Sequence, residues 1–362
     1  MGSGTALEAH RGPSAGTMRA VAFAKYGLDQ LRLVETAKPV ASKEGQVLIK
    51  VRAAALNPID KVRVAGGLKM IAPERAWPAV VGYDASGVVE AVGPGVRELA
   101  VGDRVYVRLT NPVQGALGEY CVDSERVVAK MPSNATFEQA AALPLAAVTA
   151  MQALRRLGVT KGSKVLITGG AGGVGTAAVQ LAKHVLGAAT VATTCSGGDK
   201  AELVRSLGAD VVVDYKKDKF WEQLQDYDAA FDTTGESAQC VLAVRRGGKV
   251  VTISGMPTAS EMVRVSRESG KFKSVPAMVR FFLWLKRDRA ALANSKRRGV
   301  DWSYLFLQPS AEELRTLNGY VEAGQVSPVI DAVHDLPDFD KSWQRLLSGR
   351  SRGKNVLRVS QA

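Results

Sequence analysis

The sequence predicts an α/β protein in which a β-rich part is joined to a doubly wound parallel sheet. Its N-terminal third consists of short β segments that are separated by Gly and Pro. From residue 164 onward, strand-like runs alternate with helical segments of about ten residues, which is typical of a parallel sheet with helices on both faces. A glycine-rich turn connects the first of these strands to the first of these helices. These three observations predict the fold class.

The β-rich part is predicted from short runs of apolar and β-branched residues. The predicted strands cover residues 18–23, 31–34, 46–54, 88–92, 104–107 and 120–123. Turn signals such as Gly93-Pro94-Gly95 and Val101-Gly102-Asp103 lie between them. An Ala- and Leu-rich helical stretch follows over residues 132–157, with Thr136 placed as a cap and Glu138 close behind it.

The α/β part is predicted from the alternation that begins at residue 164. Its strands are expected at 164–168, 190–194, 211–214, 229–233 and 248–254. Its helices are expected at 176–186, 199–207, 221–225 and 237–243. One more helix, over 311–323, and a final strand, over 356–359, follow near the end of the chain.

Composition excludes several classes of protein. The chain is 46% hydrophobic and 23% charged, so intrinsic disorder, collagen and coiled coil are excluded as global descriptions. The three cysteines, Cys121, Cys195 and Cys240, are too few and too widely spaced for a disulfide framework or a zinc knot. They favour a reducing compartment, with the cytoplasm as the first expectation and a mitochondrion or plastid as the alternative. Residues 1–17 are interpreted as a disordered leader.

The glycine-rich turn at 170–175 fits the pattern G-x-G-x-x-G of dinucleotide-binding sites. It follows the apolar run 165–167 and opens the predicted helix, which is the context that this fingerprint requires. The glycines allow the backbone to approach a pyrophosphate, which is bound by free N–H groups at the helix N-terminus. The residues expected to contact the cofactor here are Gly170, Gly172, Gly173, Val174 and Gly175.

The end of the next predicted strand indicates which dinucleotide is bound. Sites for NAD usually place an acid there, where it accepts a hydrogen bond from the ribose 2′-hydroxyl. Here Ser196 and Lys200 follow the strand, while Asp199 is interpreted as the cap of the next helix. A hydroxyl and an ammonium suit a 2′-phosphate, so NADPH is predicted as the cofactor. The alternative is that both are ordinary surface residues of the loop.

Motifs along nearly all of residues 18–362 resemble the zinc-independent quinone oxidoreductase branch of the medium-chain dehydrogenase/reductase superfamily. The motifs that carry the resemblance are 55–60 (ALNPID), 82–89 (GYDASGVV), 101–105 (VGDRV), 118–120 (GEY), 141–144 (AALP) with Thr149-Ala150, the turn at 170–175, 207–210 (LGAD) and Gly353-Lys354. The resemblance implies a GroES-like domain formed by residues 18–145 and 310–362. It also implies an NADP-binding Rossmann domain over 146–309, with the cofactor in the cleft between the two domains.

The resemblance also implies roles for individual residues. It places Asn57 and Thr149 near the nicotinamide ring, and Tyr215 with Ser196 and Lys200 at the 2′-phosphate. Further residues are expected along the cofactor or closing its site: Thr234, Gly235, Ser254, Gly255 and Lys354. Each of these positions also allows an ordinary role as a turn or cap residue. Zinc-dependent relatives carry Cys and His-Glu where this chain has 57–60 and Tyr83-Asp84, so no metal is expected.

The activity implied by the resemblance is transfer of hydride from NADPH to a quinone or to the C=C bond of an α,β-unsaturated carbonyl compound. Without zinc, the reaction depends on positioning and on hydrogen-bond donors near the oxygen that gains charge. Tyr83 is the candidate donor and Asn57 the second, although a buried structural tyrosine is an equally good interpretation of Tyr83. A homodimer is compatible with the sequence.

Positive charge is concentrated in one segment. The chain has 48 Lys and Arg against 35 Asp and Glu, a net charge of +13, and residues 261–299 alone contribute +8. The apolar, aromatic centre of this insert, 279–287, has cations on both sides. It is interpreted first as a lid or subunit-contact helix. The alternatives are a membrane-surface helix through 276–298 and, least favoured, a nucleic-acid contact. A second hypothesis therefore remains, in which the protein binds NADPH but acts mainly through this segment.

Overall fold

The computed structural model describes residues 16–69, 72–74, 76–110, 115–255, 258, 261–263 and 288–360. Its N-terminal part is built from antiparallel strands. These strands are β1 (Thr17–Phe23), β2 (Arg32–Ala37), β3 (Gln46–Leu56), β4 (Ala79–Val80), β5 (Asp84–Val92), β6 (Arg104–Arg108), β7 (Tyr120–Ser124) and β8 (Val128–Lys130). One sheet has the order β2-β1-β4, and β3, β5, β6 and β8 are consecutive in a larger sheet, where β7 also pairs with β3.

Three helices accompany these strands: α1 (Pro58–Val64), α2 (Phe137–Ala141) and α3 (Pro144–Leu157). The single helical stretch predicted over 132–157 is therefore two helices. Pro144 begins α3, because proline lacks the N–H that a continuous helix would need and is favoured in the first turn. Thr136 caps α2 as predicted, and the side chain that completes its capping box is Gln139.

The third sheet is parallel and six-stranded. Its strands are β9 (Lys164–Ile167), β10 (Thr190–Cys195), β11 (Val211–Asp214), β12 (Tyr227–Asp232), β13 (Val244–Thr252) and β14 (Asp301–Tyr304). Their order is β11-β10-β9-β12-β13-β14, the 3-2-1-4-5-6 order of a dinucleotide-binding fold. The helices between them are α4 (Gly173–Gln180), which continues as a π-helical turn over Leu181–Val185, α5 (Asp199–Ser206), α6 (Phe220–Gln223) and α7 (Ser237–Ala243). The predicted α/β fold class is confirmed.

The C-terminal segment returns to the antiparallel sheet. After α8 (Arg289–Arg298), it forms α9 (Ala311–Glu322), β15 (Ile330–Asp335), α10 (Phe339–Leu347) and β16 (Lys354–Arg358). Strand β16 is hydrogen-bonded antiparallel to β3, with Asn355 opposite Leu56. This register places Lys354, the first residue of β16, beside the end of β3, which the sequence alone did not predict.

One hydrophobic core is shared by the sheet that contains β6 and the parallel sheet. Tyr106 of β6, Leu154 of α3 and Ile167 of β9 belong to the same cluster of buried side chains. The Tyr106 hydroxyl donates a hydrogen bond to the carbonyl of Leu314 in α9 at 2.6 Å. The two parts are therefore packed against each other through α3 and α9, which brings the ends of β3 and β9 together.

Two sequence predictions fall partly outside the described residues. Of the predicted leader, only residues 16 and 17 are described, and Thr17 already belongs to β1. Of the basic insert, α8 and a few residues before it are described, whereas the aromatic centre at 279–287 lies outside the described residues. The boundaries proposed for the two domains remain a prediction.

Candidate active site

Glycine is present for different structural reasons at the three positions of the fingerprint. A Cβ on Gly170 would lie 2.0 Å from Oγ1 of Thr193, and one on Gly175 would lie 2.2 Å from the carbonyl oxygen of Gly169. Both positions therefore require glycine for packing of the turn against the sheet. A Cβ on Gly172 would meet only the Gly169 carbonyl oxygen, at 3.3 Å, and its φ of −81° is accessible to any residue.

The turn fits a dinucleotide pyrophosphate. Gly172 is the N-cap of α4, and none of the described side chains caps this helix. The first N–H groups of α4 are thus available to an anion, which the helix dipole also favours. Because little in the protein itself explains Gly172, close approach of the backbone to a bound group is a good reason for it. Gly170 and Gly172 lie in the turn, and Gly173, Val174 and Gly175 begin α4. Their contact with the cofactor remains a prediction.

The predicted 2′-phosphate residues lie at the ends of neighbouring strands. Cys195 of β10 is paired with Asp214 of β11, so the residues that follow these strands, Ser196 and Tyr215, are close to each other. Tyr215 is 53% exposed, which leaves its ring accessible to a ligand. Lys200 stands in the first turn of α5.

Positive charge gathers around Lys200. Partial burial and then the nearby Arg345 lower the pKa of its ammonium, and among the described residues no carboxylate forms an ion pair with it. Asp199 is the first residue of α5 and not its cap, because Gly198 occupies the N-cap position with a φ of 65°. The Asp199 carboxylate instead lies 3.3 Å from the guanidinium of Arg352. The loop can therefore present a cation to an anionic group.

The loop after β12 is held by one buried carboxylate. Asp232 accepts hydrogen bonds from the backbone N–H groups of Thr234 and Gly235 at 3.1 and 2.9 Å, and from the hydroxyls of Ser237 and Thr252 at 2.6 and 2.9 Å. The Thr234 hydroxyl also donates to Thr168 at the end of β9. These bonds fix the loop beside the glycine turn, so Thr234 and Gly235 have a structural role whether or not they contact a cofactor.

Two other predicted cofactor residues, Ser254 and Gly255, follow the next strand, β13. The Ser254 N–H donates to Oγ1 of Thr252 at 3.1 Å, and Gly255 has a positive φ of 82°. A Cβ on Gly235 would lie 3.3 Å from the Ser254 hydroxyl, so these two loops touch. Both lie at the carboxyl edge of the parallel sheet, where ligands bind in this type of fold.

Lys354 connects the glycine turn to the antiparallel sheet. A Cβ on Gly173 would lie 2.7 Å from Cδ of Lys354, so the lysine side chain passes directly over the start of α4. Its ammonium donates to the carbonyl of Leu56 at 3.0 Å and to Oδ1 of Asn57, and it lies 3.4 Å from Oδ2 of Asp84. The side chain is 5% exposed. Lys354 is therefore held between the predicted cofactor turn and the predicted reaction site.

Asn57 and Asp84 are the partners of this ammonium. Nδ2 of Asn57 donates to Oδ2 of Asp84 at 2.9 Å and to the carbonyl of Ala55 at 3.3 Å. The other Asp84 oxygen accepts the N–H of Leu145, in the first turn of α3. Both amide hydrogens of Asn57 are thus used within the protein, which suits a positioning residue better than a donor to substrate. Thr149, 4% exposed, lies one turn further along α3.

Tyr83 lies beside this cluster, and two guanidiniums lie near its ring. The Cζ atoms of Arg108 and Arg63 lie 4.9 and 6.0 Å from the ring centroid. Burial raises the pKa of the Tyr83 hydroxyl to about 12, so it is protonated at neutral pH and can donate a hydrogen bond. Tyr83 precedes Asp84, which contacts Asn57 and Lys354. The roles expected for Tyr83, Asn57, Thr149 and Lys354 remain predictions.

Sequence analysis missed several charged residues of this region. Asp60 accepts the N–H groups of Asn57 and Gly82 at 2.7 and 3.1 Å, which ties the Asn57 loop to the Tyr83 loop. Asp84 and Arg108 are directly opposite each other on β5 and β6. Asp84 lay within the motif at 82–89, but only the tertiary structure gives it partners, and no sequence signal pointed to Arg108.

Comparison with known sequence families gives two matches. Residues 43–152 match the family described as alcohol dehydrogenase GroES-like domain, and residues 207–357 match the family described as zinc-binding dehydrogenase. The chain is 38% identical over 350 residues to the 2-methylene-furan-3-one reductase of Solanum lycopersicum, with 94% of this chain and 79% of that protein covered. Identity and coverage are the same for the chloroplastic NADPH-dependent alkenal/one oxidoreductase of Arabidopsis thaliana.

Comparison with solved structures agrees with the sequence matches. The quinone oxidoreductase from Coxiella burnetii superimposes with a TM-score of 0.78 at 31% identity, and the match covers 95% of this chain and 100% of that one. The matched structure therefore agrees with this chain in both sequence and overall architecture.

The side chains at the predicted reaction site do not fit a catalytic zinc ion. Asn57, Tyr83 and Asp84 lie where zinc-dependent relatives carry metal ligands, and the ammonium of Lys354 already binds the oxygens of Asn57 and Asp84. Zinc sites use thiolates, imidazoles and carboxylates, three or four at a time. Among the described residues, no group of three or more His, Cys, Asp or Glu could hold a metal ion. Within the same residues, no helix is long and apolar enough to cross a membrane.

Proposed function

This chain belongs to the medium-chain dehydrogenase/reductase superfamily, and we propose that it is an NADPH-dependent oxidoreductase of its zinc-independent quinone and enone branch. The observation that carries the proposal is the path of Lys354, which lies over the glycine turn and reaches Asn57 and Asp84. Lys354 would therefore link a cofactor held at the turn to the residues of the predicted reaction site. The names of the relatives support NADPH and an unsaturated or quinone substrate.

The bound cofactor supplies the hydride, and the residues of this chain hold and polarise the substrate. Ser196, Lys200 and Tyr215 are assigned to the 2′-phosphate, because a hydroxyl, a cation and an accessible ring follow the ends of two paired strands. Tyr83 is assigned as the donor to the substrate oxygen, since its hydroxyl keeps its proton at neutral pH. Asn57 and Lys354 act as positioning residues, since they bind each other and Asp84. No step requires a metal.

Two substrate classes remain within the proposal. Hydride addition to an α,β-unsaturated carbonyl and reduction of a quinone both place new negative charge on an oxygen, and that charge is delocalised as the hydride arrives. The relatives with the reductase names act on furanones and alkenals, and the matched structure is named for quinones. We therefore keep both classes for the first assay.

Compartment, assembly and the basic insert are separate parts of the proposal. The sequence favours the cytoplasm, whereas several relatives have chloroplastic or mitochondrial names, which support the alternative of an organelle. A homodimer and a membrane contact through 276–298 stay predictions. The competing hypothesis is an NADPH-binding protein that works mainly through that insert.

Turnover separates the two hypotheses. The experiment measures oxidation of NADPH, by its absorbance, with a panel of quinones, alkenals and furanones, and it measures NADPH binding by the same protein. We expect turnover with at least one class and a preference for NADPH over NADH. Tight binding of NADPH without turnover of any panel member would overturn the proposal in favour of the competing hypothesis.

A further inference from the structure

Arg108 is a largely buried cation at the predicted reaction site for which neither cofactor binding nor the fold gives a reason. It is the last residue of β6 and lies directly opposite Asp84 on β5. Residues directly opposite each other in an antiparallel pair share one face of the sheet. Arg108 is therefore on the face where Asp84 meets Asn57, Lys354 and the N-terminus of α3.

The hydrogen-bonding capacity of Arg108 is mostly unused. One terminal nitrogen donates to the carbonyl of Leu109 at 2.8 Å, and the buried Nε has no partner among the described residues. A guanidinium has five N–H donors, and leaving buried donors without acceptors is costly. Such a group in a native site calls for an explanation, and a ligand oxygen is one.

Arg63, the other guanidinium near the Tyr83 ring, differs from Arg108 in its hydrogen bonds. It forms a two-point ion pair with Glu74, at 2.9 and 2.7 Å, and donates to the carbonyl of Val80 at 2.9 Å. Its donors are committed to the fold. Of the two guanidiniums near the Tyr83 ring, only Arg108 has donors to offer to a ligand within the described part of the chain.

The carboxylates near Arg108 do not take up these donors. Asp84, Asp123 and Asp60 attract the guanidinium at a distance, but none forms an ion pair with it among the described residues. Asp123 accepts from the N–H groups of Thr110 and Ser124, and Asp60 accepts from two backbone N–H groups. The charge of Arg108 is thus balanced by its surroundings while its N–H groups stay available, which favours a neutral oxygen acceptor that gains charge during the reaction.

We propose that Arg108 donates hydrogen bonds to the carbonyl oxygen of an α,β-unsaturated substrate and stabilises the negative charge that forms on it. This inference rests on the proposed function. When a hydride from the reduced nicotinamide adds to the β-carbon, the C=C electron pair shifts toward the carbonyl carbon and the carbonyl pair moves onto oxygen. The nicotinamide is oxidised, the substrate becomes an enolate, and a proton from solvent at the α-carbon completes the reduction. Donors placed at the developing charge act in the transition state, where they accelerate the reaction most.

The chain offers a closely matched control. Arg104 is on the same strand and the same face, and its Cζ lies 4.9 Å from the centroid of Phe137, the distance that separates Arg108 from Tyr83. Arg104 is exposed and donates to the carbonyl of Ala135. R104M therefore removes a guanidinium from over an aromatic ring away from the reaction site, and R108M removes the one at the site.

The decisive measurement uses 4-nitrophenol as a probe of the oxygen site, with the protein saturated with NADP⁺. The phenolate absorbs visible light, so the pKa of the bound phenol can be titrated without any turnover. We expect wild-type protein and R104M to lower that pKa relative to free nitrophenol, R108M to abolish the shift and R108K to retain part of it. A wild-type protein that ionises no more nitrophenol than solution does, or an R108M protein that keeps the full shift, would overturn the inference.

Turnover provides an independent readout. With an enone substrate, we expect R108M to lower kcat/KM by about 10²- to 10³-fold, the effect of losing one oxyanion donor, while NADPH affinity stays within about twofold. Equal kcat/KM for R108M and R104M would contradict the inference. If wild-type protein reduces no panel substrate, the proposed function fails, yet the nitrophenol titration still decides whether Arg108 faces a developing oxyanion. Thermal unfolding of each variant verifies that it is folded. If R108M does not fold, R108K replaces it in both measurements.

Discussion

The ammonium of Lys354 lies 3.4 Å from the carboxylate of Asp84, and both side chains are almost completely buried. The two residues are 270 positions apart, and their contact exists because β16 pairs with β3 while β5 pairs with β3 on its other side. Burial lowers the pKa of Lys354 and raises that of Asp84, and each of these effects is opposed by the charge of the partner. The pair therefore connects the cofactor turn, the antiparallel sheet and helix α3.

Replacing Lys354 and replacing Asp84 should have effects on stability that are not additive, because removal of either residue leaves the other buried without its partner. Lys354→Met leaves the Asp84 carboxylate buried without its cation, so we expect the free energy of unfolding to fall by about 3–5 kcal/mol. The double variant Lys354→Met with Asp84→Asn should lose less than the sum of the two single variants. Denaturant titration measures the cycle, with Lys341→Met as control, because Lys341 forms only an exposed pair with Asp338. Strict additivity would contradict the coupling.

Two substitutions in the glycine turn should distinguish residues needed for folding from residues needed for cofactor binding. Gly175→Ala should destabilise the protein, since the new Cβ would lie 2.2 Å from a backbone oxygen that cannot move aside. Gly172→Ala, whose Cβ meets only one atom at 3.3 Å, should fold with a small loss of stability but bind NADPH at least about tenfold more weakly. Thermal unfolding and fluorescence titration with NADPH test both variants. Normal affinity in Gly172→Ala would remove this glycine from the cofactor site.

Lys200 should determine the choice between the two nicotinamide cofactors. A charge-assisted hydrogen bond to a 2′-phosphate contributes about 1.5–3 kcal/mol, so Lys200→Ala should raise KM for NADPH about 10- to 150-fold. The KM for NADH should change little, because NADH lacks that phosphate. Steady-state kinetics with both cofactors test this, beside Lys219→Ala, which removes an exposed lysine paired with Glu222. Equal effects on NADPH and NADH would contradict the 2′-phosphate assignment.

Asp60 should make stability depend on pH in the acid to neutral range. Burial raises the pKa of this carboxyl from 3.8 to about 7, whereas in the unfolded chain it titrates as an ordinary aspartate. Between these values the native protein holds a proton that the unfolded chain has lost, so the free energy of unfolding should fall as pH rises from about 4 to about 7, by up to about 4 kcal/mol.

Asp60→Asn should remove that pH-dependent loss, although it also weakens one of two accepted backbone hydrogen bonds. Urea unfolding of wild type and of Asp60→Asn across this range gives the two slopes. Asp340→Asn, at an exposed carboxyl, should follow the wild type. Parallel profiles for wild type and Asp60→Asn would show that Asp60 titrates normally.

The basic insert has a test of its own. If the segment 276–298 lies on a membrane surface, wild-type protein should sediment with vesicles that contain anionic phospholipid, and replacement of Phe281 and Trp284 by Ala should reduce the bound fraction severalfold. The comparison with uncharged vesicles shows how much of the binding depends on the cations. Negligible sedimentation of wild type with both vesicle types would eliminate the membrane interpretation.

Local sequence signals were sufficient for the parallel sheet and its cofactor turn. The run 165–167, the glycines of 170–175 and the helix after them are contiguous in the chain, so their spacing already specifies a strand, a turn and a helix that opens with free N–H groups. The alternation also indicates a parallel sheet, whereas the order of its strands is seen only in the structure. The helix boundary at Pro144 shows the limit, because an Ala- and Leu-rich stretch reads as one helix until the constraint of the proline is taken into account.

The charged contacts around the predicted reaction site are seen only in the tertiary structure. Lys354 reaches Asn57 and Asp84 through the pairing of β16 with β3, and Arg108 meets Asp84 through the register of β5 and β6. Neither contact has a signature in the sequence, since residues far apart in the chain become neighbours only when sheets close and side chains are buried together. The sequence by itself determined the fold class and the glycine turn of the cofactor site, whereas desolvation and long-range pairing decided which charged side chains surround Tyr83.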